Sequence, residues 1–268
     1  MSEVTLRTLL VGTDGSDTAA VAVAQTIGLA QRIGAEALVV TAYPRGEGGD
    51  ESPAAVASGL LRDVKRQYPD APLRAIAREG DPVEVILGVA AEEGADVIVV
   101  GNRGMTGKRV LGGIPDKVTH HAPCHVLVAD TNWAAILPTG EDPHAQQPVG
   151  RILVATDGSP TADVAVGAAA DLARALPAEL HLLHVGEEAH GRALLERAAG
   201  DIEDVEVHRR VVGGDPPTRI VDVAHEAKVD LIVVGNKGMR GLRRVFLGGV
   251  PNFVSHHADR SVLIVKTT

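Results

Sequence analysis

Leu9–Ala20 reads LLVGTDGSDTAA, and Ile152–Asp163 reads ILVATDGSPTAD. Two further segments recur. ADVIVVGNRGMTG at Ala95–Gly107 returns as VDLIVVGNKGMRG at Val229–Gly241, and VTHHAPCHVLVADT at Val118–Thr131 as VSHHADRSVLIVKT at Val254–Thr267. The blocks keep their order, so the chain is a tandem duplication of a unit of about 130 residues, the size of one domain. Its 268 residues divide into a first domain over 1–131, a linker over 132–148 that carries Pro138, Pro143 and Pro148, and a second domain over 149–268.

Within a unit, strand and helix signals alternate. In the first, short apolar runs mark strands at Leu6–Thr13, Ala35–Tyr43, Leu73–Arg78, Asp96–Gly101 and His125–Ala129. Helical stretches fall between them at Thr18–Ile33, Pro53–Tyr68, Val83–Glu93 and near Pro115–His121. Continuous Val/Ile/Leu strands alternating with helices predict an α/β fold, a parallel sheet covered on both faces. Such open sheets take ligands at the carboxyl ends of their strands, near a topological switch point.

Composition excludes several partners. One Trp, two Tyr and two Phe, 2% of the chain, leave few rings for a nucleic-acid stacking surface or a membrane aromatic belt. The net charge of −9 divides evenly: 12 basic and 17 acidic residues in 1–134, 14 and 18 in 135–268. Neither half attracts nucleic acid or an acidic membrane. The apolar runs are too short to span a bilayer. Glu3 and Arg7 interrupt any signal-peptide core, and the single Cys124 fits a reducing compartment. The expected setting is cytoplasmic.

Strand one ends in Thr13-Asp14-Gly15-Ser16, its twin in Thr156-Asp157-Gly158-Ser159. The plain reading is an Asp-Gly bend followed by a Ser helix cap, with Pro160 at the first helical position. The functional reading aims the Asp into the crevice, toward a ribose hydroxyl or a phosphate-bound metal. Both stand at this point. Strand four carries Gly101-Asn102-Arg103-Gly104, then Gly112-Gly113; its partner carries Gly235-Asn236-Lys237-Gly238, then Gly248-Gly249. Glycines after a buried strand let the backbone approach a ligand and form an anion-binding nest, and the helix that follows offers further N–H donors. Lys108, Arg109, Arg240, Arg243 and Arg244 suit a polyphosphate. A P-loop and a dinucleotide fingerprint are both absent: five residues separate Gly101 from Gly107, and Gly12-Thr-Asp-Gly15 lacks Gly-x-Gly-x-x-Gly.

The combination of TDGS, VVGNRGM, the glycine pair and HHAPCHVLV resembles the universal stress protein family, in its ATP-binding branch, over both units. That resemblance implies two Rossmann-like, adenine-nucleotide-binding domains, each an open five-stranded sheet in the order 3-2-1-4-5. It implies ATP across the strand ends, pairing of the two units through their last strands, and a homodimer. By position it puts Asp14 and Asp157 beside the ribose and a Mg²⁺ ion, with Gly12, Thr13, Ala155 and Thr156 next to them. Gly101, Gly104, Gly112 and Gly113 would line site one; Gly235, Gly238, Gly248, Gly249 and Val250 would line site two. Ala42, Val185, Val100 and Val234 would flank adenine, held by aliphatic side chains and backbone because rings are scarce. The family's Ser/Thr is replaced by Gly113 and by Gly249, which removes a hydroxyl contact to phosphate from both sites. The first loop is also two residues shorter, which cuts its reach by up to about 7 Å.

Other motifs read as structural. His120-His121 and His256-His257 are sequence neighbours that diverge on a helix, and no His or Cys pair has zinc-like spacing. Cys124 opens a buried strand without an assigned base. Gly80-Asp81-Pro82 and Gly214-Asp215-Pro216 read as turn, cap and first helical residue, with Glu84 completing a capping box. The function expected is an ATP-binding regulatory stress protein whose nucleotide switches conformation or assembly. A dimerisation scaffold with little nucleotide affinity and a weak ATPase are the alternatives; AMP and cyclic AMP remain open as ligands.

Overall fold

The computed structural model describes residues 6–46, 52–102, 113–131, 149–236 and 248–267. They fall into two compact units, within Leu6–Gln146 and Gln147–Thr268. The expected linker lies outside the described residues.

The first unit runs β1 (Thr8–Gly12), α1 (Asp17–Ile33), β2 (Glu36–Tyr43), α2 (Pro53–Gln67), β3 (Leu73–Glu79), α3 (Pro82–Glu92), β4 (Val97–Gly101), α4 (Gly113–His121) and β5 (His125–Ala129). The second runs β6 (Arg151–Ala155), α5 (Pro160–Ala175), β7 (Glu179–Val185), α6 (Glu188–Gly200), β8 (Val207–Val212), α7 (Pro216–Glu226), β9 (Leu231–Gly235), α8 (Gly249–His257) and β10 (Ser261–Val265). All strand pairs within each unit are parallel, in the orders β3-β2-β1-β4-β5 and β8-β7-β6-β9-β10. The expected sheet order is present twice.

The central strands are apolar through their middles because both faces are covered there. Leu9, Leu10 and Val11 are fully buried, as are Ile152, Leu153 and Val154. Two crossovers run from β1 toward β3 and two run back from β3 through β4 to β5. Right-handed connections therefore put α1 and α2 on one face and α3 and α4 on the other. Burial of this kind, at about 1.5–3 kcal/mol for each large aliphatic side chain, drives the collapse of the layers.

Local signals set the helix boundaries. The hydroxyls of Ser16, Ser52 and Ser159 accept from the backbone N–H three residues on, at Ala19, Ala55 and Ala162, and α1 ends on Gly34 in the left-handed region. Pro53, Pro82, Pro160 and Pro216 each open a helix, where the missing N–H costs nothing. Helix α4 begins at Gly113, ahead of the expected Pro115, because a proline within the first turn forfeits no intrahelical bond. Asp81 caps α3 through Val83 and Glu84 N–H at 2.9 and 3.2 Å. Asp215 occupies the matching position but its carboxylate accepts the Thr218 hydroxyl at 2.8 Å and caps no backbone group. Cys124 stands just before β5 and is half-buried, so it precedes the strand rather than opening it.

Candidate functional site

The strand order reverses between β1 and β4, and between β6 and β9, so a crevice opens at the carboxyl ends of each of those pairs. Of the sequence-predicted residues, those that the structure describes lie at these strand ends and at the helix starts that follow. In unit one, Thr13 is buried and its N–H donates to Val40 O at 2.8 Å, which extends the β1–β2 ladder by one residue. The chain then bends at Asp14-Gly15. Gly15 has φ +79° and Gly158 has φ +76°, a region that favours glycine. Asp14 Oδ1 accepts from Ser16 N at 3.0 Å and from Ser16 Oγ at 2.6 Å, and Asp157 Oδ1 accepts from Ser159 N at 3.0 Å. The plain reading of the motif, turn plus cap, is therefore realised in both units. The same turn sets each Asp at the mouth of the crevice.

At the facing strand end, glycine is required by proximity. A Cβ at Gly235 would sit 3.0 Å from Thr161 O, in the first turn of α5, and one at Gly101 would sit 2.9 Å from Thr131 Cγ2. The end of β9 thus abuts the amino end of α5, which brings Gly235 and the Asp157 turn into one crevice.

Asn102 and Asn236 are buried and do work that the motif reading left unassigned. Asn102 N donates to Ala129 O at 2.9 Å; its amide Nδ2 donates to Asp130 Oδ1 at 2.9 Å. Its Oδ1 accepts from Thr131 N and Thr131 Oγ1, both at 3.1 Å. Asn236 repeats the scheme more sparsely: its N–H donates to Val265 O at 2.9 Å and its Oδ1 accepts from Thr267 Oγ1 at 3.3 Å. Each asparagine fixes where the glycine-rich loop leaves its strand. The shared Asn and Thr of the repeated blocks were the available signal.

Gly248 caps α8 and its N–H donates to the Asn236 carbonyl at 2.9 Å, and Gly249 and Val250 form the first turn. Gly113 is the first residue of α4. Gly104, Gly112 and Gly238, with the five basic residues of the loops, lie outside the described residues. Ala42 and Val185 sit at the ends of β2 and β7. Val100 and Val234 are only 6% and 2% exposed, so at the crevice they present peptide groups more than side chains. Ala155 and Gly12 close β6 and β1. His184, at the end of β7 in site two, is buried; its Nδ1 carries the proton and donates to Thr156 O at 2.9 Å. The register pairs with the duplication to put Thr41 at this place in unit one.

The family model described as universal stress protein family matches residues 5–130, 148–191 and 186–266. This chain belongs to the universal stress protein family. A universal stress protein of Mycolicibacterium smegmatis is 34% identical over 199 residues, 66% of this chain and 64% of that protein. One from Mycobacterium tuberculosis is 32% identical over 208 residues, 69% of this chain and 66% of that protein. The chain thus spans just under two thirds of the length of these relatives. The crystal structure of a universal stress protein from Archaeoglobus fulgidus covers 98% of this chain with a TM-score of 0.73 at 23% identity, a likeness of fold. Among the described residues no helix is long and apolar enough to cross a membrane.

Proposed function

We propose that this universal stress protein binds an adenine nucleotide, ATP with Mg²⁺, at the carboxyl end of each sheet and uses it as a regulatory ligand. The observation that carries the reading is the convergence, in both units, of the Asp-Gly turn and a strand-end glycine at a switch point that the Asn clamp holds in place. Asp14 and Asp157 are hard oxygen donors at the crevice mouth, and Mg²⁺ is typically held by one or two carboxylates plus phosphate oxygens. The first turns of α4 and α8 supply N–H donors for phosphate. Bound nucleotide shifts conformation or assembly, including homodimer formation, only as far as it prefers one state. The reading places the protein in the cytoplasm, where ATP is at hand.

Gly113 and Gly249 favour a second reading, a dimerisation scaffold with little nucleotide affinity, since neither offers a hydroxyl to phosphate. One experiment separates them. The purified full chain is denatured and the released nucleotide identified, then the refilled protein is titrated with ATP·Mg²⁺. ATP approaching two per chain upholds the nucleotide reading. A protein that is empty and stays empty upholds the scaffold. Steady release of ADP identifies a weak ATPase. The longer second loop predicts that Gly248→Val loses more bound nucleotide than Gly112→Val, and equal losses refute that asymmetry.

A further inference from the structure

At the opposite end of the second sheet, the amino-terminal end, three side chains meet that have no part in the nucleotide reading. Glu179 and His181 lie on β7, and His208 lies on the edge strand β8, directly across from His181 in the parallel register. Glu179 and His181 are two apart on one strand and so share a face. His184, three residues from His181, points to the other face. The two imidazoles stack with centroids 4.7 Å apart and planes at 24°. Glu179 Oε2 is 3.5 Å from His181 Nε2 and 3.8 Å from His208 Nε2, and one donor atom from each residue falls within 4.8 Å of the others. His181 Nε2 is buried and has no hydrogen-bond partner. Glu206 Oε1 is 3.3 Å from His208 Nε2, and Arg151 Nε steadies Glu179 from the side at 3.4 Å.

We propose that Glu179, His181 and His208 form a site for a divalent transition-metal cation, zinc above all, with Glu206 available as a fourth ligand. Two imidazoles and a carboxylate are a borderline-soft donor set that suits zinc and excludes magnesium or calcium as the preferred ion. Bonds of about 2.0–2.2 Å bring tetrahedral ligand atoms to roughly 3.3 Å from one another, so rotations of the side chains close the present spacing. An unpartnered buried imidazole nitrogen costs free energy unless something binds it. The other unit shows what the same place looks like without a site. There Leu38 stands for His181 and Arg74 for His208, and Arg74 is paired to Glu36 at 2.8 Å and to Glu93 at 2.9 Å. In unit two the arginine is gone, and Ala227 stands where Glu93 does. Bound metal would staple the edge strand β8 to β7.

The test uses the full chain, stripped with chelator and free of nucleotide, titrated with Zn²⁺ and separately with Mg²⁺ by calorimetry and by competition against a chromogenic chelator. The expected result is one Zn²⁺ per chain at a site that Mg²⁺ does not fill, and perturbed His181 and His208 imidazole resonances. Loss of an outer-shell partner alone costs about 10–100-fold in affinity, so His181→Leu, His208→Arg and Glu179→Gln must each weaken zinc by at least about tenfold. Circular dichroism checks that each variant is folded, and Glu179→Gln keeps the side-chain volume should either histidine variant fail. Zinc uptake that all folded variants leave unchanged, or no zinc uptake by the parent chain, overturns the proposal.

Discussion

Replacing Asn102 by Ala would remove a buried side chain that makes three hydrogen bonds, one to a carboxylate oxygen and two from Thr131. A neutral hydrogen bond contributes about 0.5–1.5 kcal/mol net and one to a charged group about 1.5–3, while a buried donor left unsatisfied costs about 1–3. Thr131 is only 3% exposed, so its N–H has little access to water as a substitute. The three terms overlap, and a net loss of about 2–4 kcal/mol follows for unit one. Among the described residues Asn236→Ala removes one side-chain bond, of 3.3 Å, so unit two should lose about 1 kcal/mol or less. Hydrogen exchange of peptides from β4 and β5, compared with those from β9 and β10, reads each unit separately in urea. Equal destabilisation of the two units, or a smaller effect for Asn102→Ala, would refute the claim that these bonds hold the loop's point of departure.

Two further outcomes follow from the geometry. Gly235→Ala forces a Cβ to 3.0 Å from a helix carbonyl and should destabilise unit two by about 1–3 kcal/mol. Gly249→Ala, with nothing within 4 Å of the new Cβ, should be neutral or stabilising by up to about 1 kcal/mol; chemical denaturation of both variants checks the contrast. His125 is a base whose pKa burial lowers, against a smaller opposing pull from Asp96, so the folded chain takes up its proton less readily than the unfolded one. Its neutral form costs nothing above the ordinary histidine range, and stability is lost as pH falls through about 6.5 and below. His125→Ser, the residue found at Ser261 in the other unit, should flatten the loss between about pH 7.5 and 5.5. Parallel stability curves for parent and variant would rule this out. Asp259, held below its usual range by His225 and Arg260 in spite of burial, loses its contribution only near pH 4 and lower, outside that window.

The fold was legible because its determinants are local. VIVVG and LIVVG can be buried strands of a two-sided sheet and little else, and Ser16, Ser159 and the prolines at helix starts fix boundaries within a turn. The crevice was legible through topology, since the order of crossovers decides which strand ends face each other. What escaped was chemistry assembled across strands. The spacing rules for metal ligands describe neighbours on one turn or one helix, and His181 and His208 become neighbours only when β7 and β8 align in register. Asn102 was visible as part of a repeated motif, but its partners Asp130 and Thr131 follow a different strand, so nothing in the motif itself named its task.

The two ends of the second sheet are distinct in energy as well as in place. Along β7, His181 is four residues and Glu179 six residues from Val185, so at about 3.3 Å of rise each the Glu179–His181–His208 cluster and the crevice end of the strand lie roughly 13–20 Å apart. That exceeds the Debye length of about 8 Å at physiological ionic strength, so charge at one end is screened from the other wherever solvent intervenes. The strand between them, Leu180, Leu182 and Leu183, is packed and nearly inaccessible, a medium that transmits displacement only if it has two arrangements to choose between. Unit one sharpens the point. It keeps the strand-end turn and the Asn clamp yet carries Leu38 and Arg74 where unit two carries two histidines, so the amino-terminal end of the sheet diverged while the turn and clamp at the other end were kept. A substitution at His181 is therefore expected to act first on the amino-terminal cluster, and one at Gly248 on the crevice.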